Sequence, residues 1–301
     1  MKKLLILGGS GFVGNSVVDY LTSKNLNKDN IKEIFILSRK IKSNKIKLNN
    51  ININYVNQNI INLKRLPEVD FIIYCIKSRD LKTSDIYFKK FQKLLKSLKK
   101  KPNILFTSSG AVYGVNNVKR RSDEDDEINL ESINKFSNYK KKYAKEKLFL
   151  EEKFKNLGKK NYKVSIARCF AFTGKHILKY DYAIANIINN FYSKSPVKLK
   201  TNKPVYRSYM HANDLSNWLL TILKNSNKLC PIYNIGSDKE IELKKLIKKI
   251  ASKFGKKNKF QNYTTQKIDY YVPSINKAQK NLKLKITINL NHSINSTIKS
   301  L

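Results

Sequence analysis

Residues 3–25 read KLLILGGSGFVGNSVVDYLTSKN. An apolar run ends in Gly8, Gly11 and Gly14, and a helix-like pattern begins at once. Glycines at a strand–helix junction permit a tight turn. They also let the backbone approach a pyrophosphate and let the helix pack on the sheet. A phosphate placed there meets the free N–H groups and the positive end of the helix. The loop Gly8–Gly14, with Ser10, Phe12 and Val13 between its glycines, therefore predicts a dinucleotide cradle.

Further strand signals recur at EIFIL, INYV, DFIIYCI, NILFTS and YKVSIARC, with helix-length segments between most of them. Strands alternating with helices predict an α/β fold, a Rossmann-type doubly wound parallel sheet. Pro102 in KKPN (100–103) marks a helix stop before a strand. The acidic stretch SDEDDE (122–127) reads as an exposed loop. The βα rhythm loosens after Gly174. The expected division is a dinucleotide-binding domain of 1–170 plus 206–236 and a smaller substrate lobe of 171–205 plus 237–301. Ligand would sit between them, outside the carboxyl ends of the strands.

Composition narrows the class. The 301 residues with 41% hydrophobic content can bury a real core. A net charge of +39 suggests polyanions, but the lysines decorate nearly every predicted helix and loop instead of forming one face. We read them as compositional bias that attracts anionic substrates, with no specific nucleic-acid partner. The opening MKKLLIL has the basic start of a signal peptide, but glycines interrupt it too early. No apolar run approaches spanning length. A cytoplasmic protein without a membrane anchor is expected. Cys75, Cys169 and Cys230 lie far apart, and His176, His211 and His292 lack ligand spacing, so no metal site is expected.

Arginine is scarce beside 54 lysines, so each arginine hints at a need for its planar fork. After the second strand stands Ser38-Arg39-Lys40, where an acidic residue would bind the ribose 2′-hydroxyl of NAD. This triplet suits a 2′-phosphate and favours NADP over NAD; a solvated basic turn is the alternative.

Residues 139–152 read YKKKYAKEKLFLEE, with Tyr143 four residues before Lys147. Among 17 tyrosines and 54 lysines, chance supplies about three such pairs, and there are three. Tyr20–Lys24 and Tyr263–Lys267 are the rivals. Context separates them. NILFTSSGAVYG (103–114) carries Ser109 at a strand end, 34 residues before Tyr143. On a helix, positions four apart share a face. An ammonium there is expected to lower the phenol's pKa and fit it for proton exchange.

The glycine spacing, the Ser-Ser-Gly-Ala-Val-Tyr-Gly strand end and Tyr-x-x-x-Lys-x-x-x-Glu (143–151) together resemble the extended short-chain dehydrogenase/reductase superfamily. The resemblance is to its branch of NAD(P)-dependent nucleotide-sugar epimerases and dehydratases, and runs from Met1 to about Leu284. It implies a catalytic set of Ser109, Tyr143 and Lys147, with Lys147 also holding the cofactor ribose. It implies that Asn59 and Ile60 contact adenine, and that Cys75, Ile76 and Lys77 border the nicotinamide pocket in place of the usual small residues, with Lys77 either meeting a phosphate or narrowing the site. It aligns Ala171, where relatives carry asparagine, Asn186 and Arg207 with substrate contacts, Arg207 clamping the diphosphate. Arg168 suits a ligand or a salt bridge equally well. YYVPSINKAQKNLKL (270–284) is similar to a closing motif of the family. A homodimer through the helices bearing Lys90 and Tyr143 is implied too.

The expected function is an epimerase or 4-ketoreductase acting on a nucleoside-diphosphate sugar. A 4,6-dehydratase is not expected, because Gly110-Ala111 replace the Asp-Glu pair of dehydratases. A non-catalytic relative that senses NADP or binds RNA is the alternative.

Overall fold

β1 (Lys2–Leu7) sends Leu4 and Ile6 to one side of a sheet and Leu5 and Leu7 to the other, and all four are buried. Side chains of a strand alternate, so a run apolar at every position needs cover on both faces. The computed structural model describes residues 1–23, 30–39, 41–78, 80–197, 199, 201–257 and 260–301. Lys24 and Lys40 lie outside the described residues.

The strands that follow are β2 (Ile31–Ser38), β3 (Asn44–Leu48), β4 (Ile51–Asn57), β5 (Phe71–Tyr74), β6 (Asn103–Ser109) and β7 (Lys163–Cys169). Then come β8 (Phe172–Thr173), β9 (Val205–Ser208), β10 (Met210–His211), β11 (Ile232–Ile235), β12 (Glu240–Glu242) and β13 (Asp269–Tyr271). The main sheet has the order β11-β7-β6-β5-β1-β2-β4-β3. Its neighbours are parallel except β3 with β4. The order reverses at β1, which opens a crevice beyond its carboxyl end. This is the expected Rossmann-type α/β fold.

The helices are α1 (Phe12–Thr22), α2 (Leu81–Leu95), α3 (Leu130–Asn134), α4 (Asn138–Lys159), α5 (Ala183–Tyr192), α6 (Ala212–Lys224), α7 (Leu243–Lys253), α8 (Asn276–Leu282) and α9 (Leu290–Ile298). Helices α1 and α6 cover one face around the fully buried Trp218. Helices α2 and α4 cover the other, where Phe154 stacks on Phe106 at 4.6 Å and meets Tyr74 edge-on at 5.2 Å. A third core joins α5, α7 and α9 through Ile188, Leu246 and Ile294. Beside it β9 pairs with β12 and β13. No helix among the described residues is long and apolar enough to cross a membrane.

Two features depart from the sequence reading. Edge strand β3 was not foreseen: it alternates weakly and carries exposed lysines. It returns through Asn49 and Asn50, both at positive φ (46° and 64°), as a two-residue hairpin turn of type I′ requires. The acidic stretch is also not simply an exposed loop. Ser122 bridges to Pro273, and Glu124 is buried, its Oε1 accepting the Asn234 N–H at 2.6 Å. Burial accordingly pushes the Glu124 pKa up.

That carboxylate ends a buried polar chain. Arg168 on β7 donates from Nε and Nη2 to both oxygens of Glu151 on α4, at 3.1 and 2.8 Å. Ser108 donates to Glu151 Oε1 at 2.5 Å. Arg168 Nη1 donates to the Tyr113 hydroxyl at 2.9 Å, which donates to Asn234 Oδ1 at 2.8 Å. Both ionic side chains are all but excluded from solvent, at 4% and 2% exposed. Of the two roles open to Arg168, the structure shows the salt bridge. Removing one partner of such a pair strands the other. Arg168→Met should lower unfolding free energy in urea by roughly 3–5 kcal/mol, and pairing it with Glu151→Leu should recover most of the loss.

Candidate active site

Of the four glycines between Gly8 and Gly14, the three of the motif, Gly8, Gly11 and Gly14, have two kinds of reason. Gly8 has φ +80°, and a Cβ there would lie 2.8 Å from the backbone of Cys75 and Ile76. At Gly14 a Cβ would lie 2.1 Å from the Gly9 carbonyl oxygen. The chain's own packing demands both. At Gly11 a Cβ would meet nothing nearer than Gly8 O at 3.9 Å. Gly11 is also the N-cap of α1, and no side chain caps that end. The space beside it, facing the first-turn N–H groups of Phe12, Val13 and Gly14, is a cradle that a side chain would fill. These residues fit a dinucleotide pyrophosphate.

The neighbouring cofactor candidates converge on the same crevice. Ser10 and Ser38 hydroxyls lie 2.6 Å apart. Ser10 O accepts from the Asn15 amide and from the Tyr180 hydroxyl, both at 3.0 Å. Exposed Arg39 and half-buried Asn59 both donate to the Tyr87 hydroxyl, at 3.3 and 3.4 Å. Ile60 is buried behind them. Cys75 donates N–H and S–H to Leu7 O at 2.9 and 3.1 Å, and Ile76 abuts Gly8. Burial pushes the Cys75 thiol up to about 12, so it behaves as an inert packing group.

Helix α4 carries the candidate reactive side chains. Tyr143, Lys147 and Glu151 recur every four residues, and Glu151 is held by Arg168. Buried Lys147 donates from Nζ to Thr107 O at 3.1 Å. That ammonium lies 5.0 Å from the Phe106 ring and 5.6 Å from the Tyr143 ring. Ser109 Oγ caps the turn after β6, accepting the Ala111 N–H at 3.2 Å. The same hydroxyl interacts with the phenols of Tyr143 and Tyr271. Ser109, Tyr143 and Lys147 are thus brought together beside the glycine loop.

The electrostatics differ from the expectation that an ammonium depresses the phenol. Burial dominates and pushes Tyr143 up to about 12, with Ser109 and Lys77 pulling only partly the other way. Burial also pushes the Lys147 pKa down, which weakens it as a cation. Without ligand, Tyr143 is a protonated phenol at neutral pH, suited to donate a hydrogen bond or a proton.

The substrate-side candidates are placed less uniformly. Arg207 on β9 donates to Tyr206 O at 2.7 Å, to Asp269 O at 3.1 Å and to Asp269 Oδ2 at 3.0 Å. Its guanidinium lies 5.7 Å from the Tyr271 ring, which places it near the phenols. Half-buried Ala171 accepts the Met210 N–H through its carbonyl. Exposed Asn186 turns its amide to Asp181 at 2.7 Å. The rival tyrosines lie elsewhere: the Tyr20 hydroxyl donates to Asn217, and that of Tyr263 to Glu242. Tyr271, Tyr139 and Tyr182 were not singled out by sequence, yet all have electrostatic contact with Tyr143 or Lys77. The YYVPS stretch was the available signal for Tyr271.

Comparison with known proteins gives concordant findings. The family model described as "NAD dependent epimerase/dehydratase family" matches residues 4–236. The bifunctional polymyxin resistance protein ArnA of Wigglesworthia glossinidia brevipalpis is 26% identical over 344 aligned positions, covering 100% of this chain and 52% of that protein. The chain thus spans about half the length of that curated relative. The solved structure of UDP-glucose 4-epimerase from Thermotoga maritima, bound to UDP-glucose, superposes with TM-score 0.75 at 16% identity, covering 99% of this chain and 98% of that one. A dTDP-glucose 4,6-dehydratase from Bacillus anthracis in complex with NAD gives TM-score 0.75 at 19% identity, covering 100% and 96%. At these identities the two structures establish likeness of fold.

The glycine geometry makes a separable prediction. Gly11→Ala should leave the thermal midpoint close to wild type but weaken NADH or NADPH binding at least about tenfold in a fluorescence titration. Gly14→Ala should lower the thermal midpoint as well. Unweakened binding in Gly11→Ala would remove the cradle from the cofactor site.

Proposed function

The chain belongs to the NAD dependent epimerase/dehydratase family, and from that premise we propose that it is a nicotinamide-dependent enzyme acting at carbon 4 of a nucleoside-diphosphate sugar. The observation that carries this reading is the meeting of Ser109, Tyr143 and Lys147 beside the open cradle at Gly11. Hydride exchange with the sugar carbon is the chemistry that a bound nicotinamide would supply.

Tyr143 exchanges the proton of the sugar hydroxyl, and Ser109 orients the oxygen by hydrogen bonding. Lys147, anchored on Thr107 O, holds the ribose of the dinucleotide and biases the phenol. The loops after β1, β2, β4 and β5 hold the remainder of the dinucleotide, with Asn59 and Ile60, which follow β4, at its adenine. Asn186 and the Ala171 segment face the nucleotide sugar from the lobe formed by 171–205 and 237–301, and Arg207 on β9 faces it from just outside that lobe.

Elimination of water is disfavoured. Gly110-Ala111 offer no carboxylate at the strand end, and a side chain at Gly110 would start 2.6 Å from the Phe170 ring. The reaction is therefore epimerisation or ketoreduction. Ser38 and Arg39 support a 2′-phosphorylated cofactor consumed in ketoreduction; retained NAD would accompany epimerisation. We also propose a homodimer through α2 and α4, supported by the exposed apolar side chains of Leu81, Ile86 and Tyr139 on these helices.

Mass spectrometry of the nucleotide retained on gentle purification separates the two reactions. Tyr143→Phe should cut turnover of UDP-glucose by at least about a hundredfold, measured by NMR of product, while leaving the affinity for NADH or NADPH within about twofold. Undiminished turnover would sink this assignment.

A further inference from the structure

Lys77 is a cation with a fixed root and, among the described residues, no carboxylate partner. Its preceding residue, Ile76, abuts Gly8, and its following residue, Ser78, donates from N and Oγ to Glu146 Oε1 on α4 at 3.4 and 3.0 Å. The side chain between these anchors crosses the crevice toward α4. Its ammonium donates to the Tyr139 hydroxyl and lies 5.1 Å from the Tyr139 ring and 5.8 Å from the Tyr143 ring. Tyr182, just before α5, shares its field.

Phenol faces and hydroxyls hold a cation without cancelling its charge. Burial opposes that charge, but the phenols outweigh it and keep the ammonium protonated. Among the described residues no carboxylate pairs with Lys77. Unpaired lysines are ordinary in a chain with 61 Lys+Arg against 22 Asp+Glu. What distinguishes this one is its place beside the candidate catalytic phenol. Of the other cations near the phenols, Arg207 is already paired with Asp269, and Lys147 is buried and tied to the Thr107 carbonyl.

Sugar geometry says what such a cation meets. Carbon 6 of a hexose is attached to carbon 5, the ring neighbour of carbon 4. When the carbon 4 hydroxyl is at Tyr143, the group on carbon 6 lies a few ångströms away. In a neutral hexose that group is a hydroxymethyl; in a uronic acid it is a carboxylate, which forms a charge-assisted hydrogen bond with an ammonium. We infer that Lys77 is a specificity residue that reads a carboxylate on carbon 6, so that the preferred substrate is a nucleoside-diphosphate uronic acid. This rests on the nucleotide-sugar reading of the site.

The test compares UDP-glucuronic acid with UDP-glucose by kcat/KM for wild type, Lys77→Met and Lys77→Arg, with thermal midpoints as a folding control. Wild type should favour UDP-glucuronic acid by about tenfold or more. Lys77→Met should abolish that ratio, and Lys77→Arg should keep most of it. A wild-type enzyme active on both with no preference overturns this inference alone. So does an equal fall on both substrates in Lys77→Met, which would place Lys77 on the phenol or the cofactor. Failure of wild type to bind either sugar nucleotide while still binding NADH or NADPH overturns the nucleotide-sugar reading, and this inference with it.

Discussion

The arrangement of the site depends on the buried ion pair between Glu151 and Arg168. A helix rises about 1.5 Å per residue, so fixing one of its residues fixes the height of every other. Glu151 clamped to β7 sets Lys147 one turn away against the carbonyl of Thr107, and Tyr143 one turn further against Ser109. Buried ion pairs contribute little net stability against a well-packed apolar substitute, because desolvation offsets attraction. What this pair supplies is register, since its two parallel hydrogen bonds admit one alignment of helix on strand. Ser108 and Tyr113 extend the same control to the strand end that carries Ser109.

Much of this was legible in the sequence, and the parts that were not share a cause. Strands buried on both faces announce themselves as continuous apolar runs, so the central sheet could be read directly. Gly8, Gly11 and Gly14 could be read because glycine at a strand–helix junction has few other uses. Tyr143 could not be separated from its rivals by spacing, only by the strand end at Ser109. Arg168 remained ambiguous because an arginine's fork fits a ligand phosphate and a buried glutamate equally well. Glu124 was misjudged because acidic residues in a run are ordinarily solvated; here Asn234, far along the chain, turns one inward. Tyr271 reaches Ser109 only through the pairing of β13 with β9, which no local pattern encodes.

The phenol at the centre of the site lies between two ammonium groups of unlike character. Lys147 is buried, tied to a backbone carbonyl and weakened as a cation by desolvation. Lys77 is exposed, fully charged and faces the crevice. Burial holds the phenol protonated against the pull of Lys77 and Ser109. The free protein therefore keeps its proton on the tyrosine and an ammonium without a carboxylate partner among the described residues beside it.

The hairpin at the far end of the sheet bears on how this molecule survives at high concentration. A parallel sheet would leave its last strand with a row of unsatisfied amides and carbonyls, a template for strands of other chains. Here β3 folds back to occupy that row, and its own outer rim carries Lys45 and Lys47, both exposed. A second molecule approaching edge to edge would have to desolvate those ammonium groups against its own. The lysine richness that has no evident part in the chemistry thus acts at this rim as a guard against fibrous self-association.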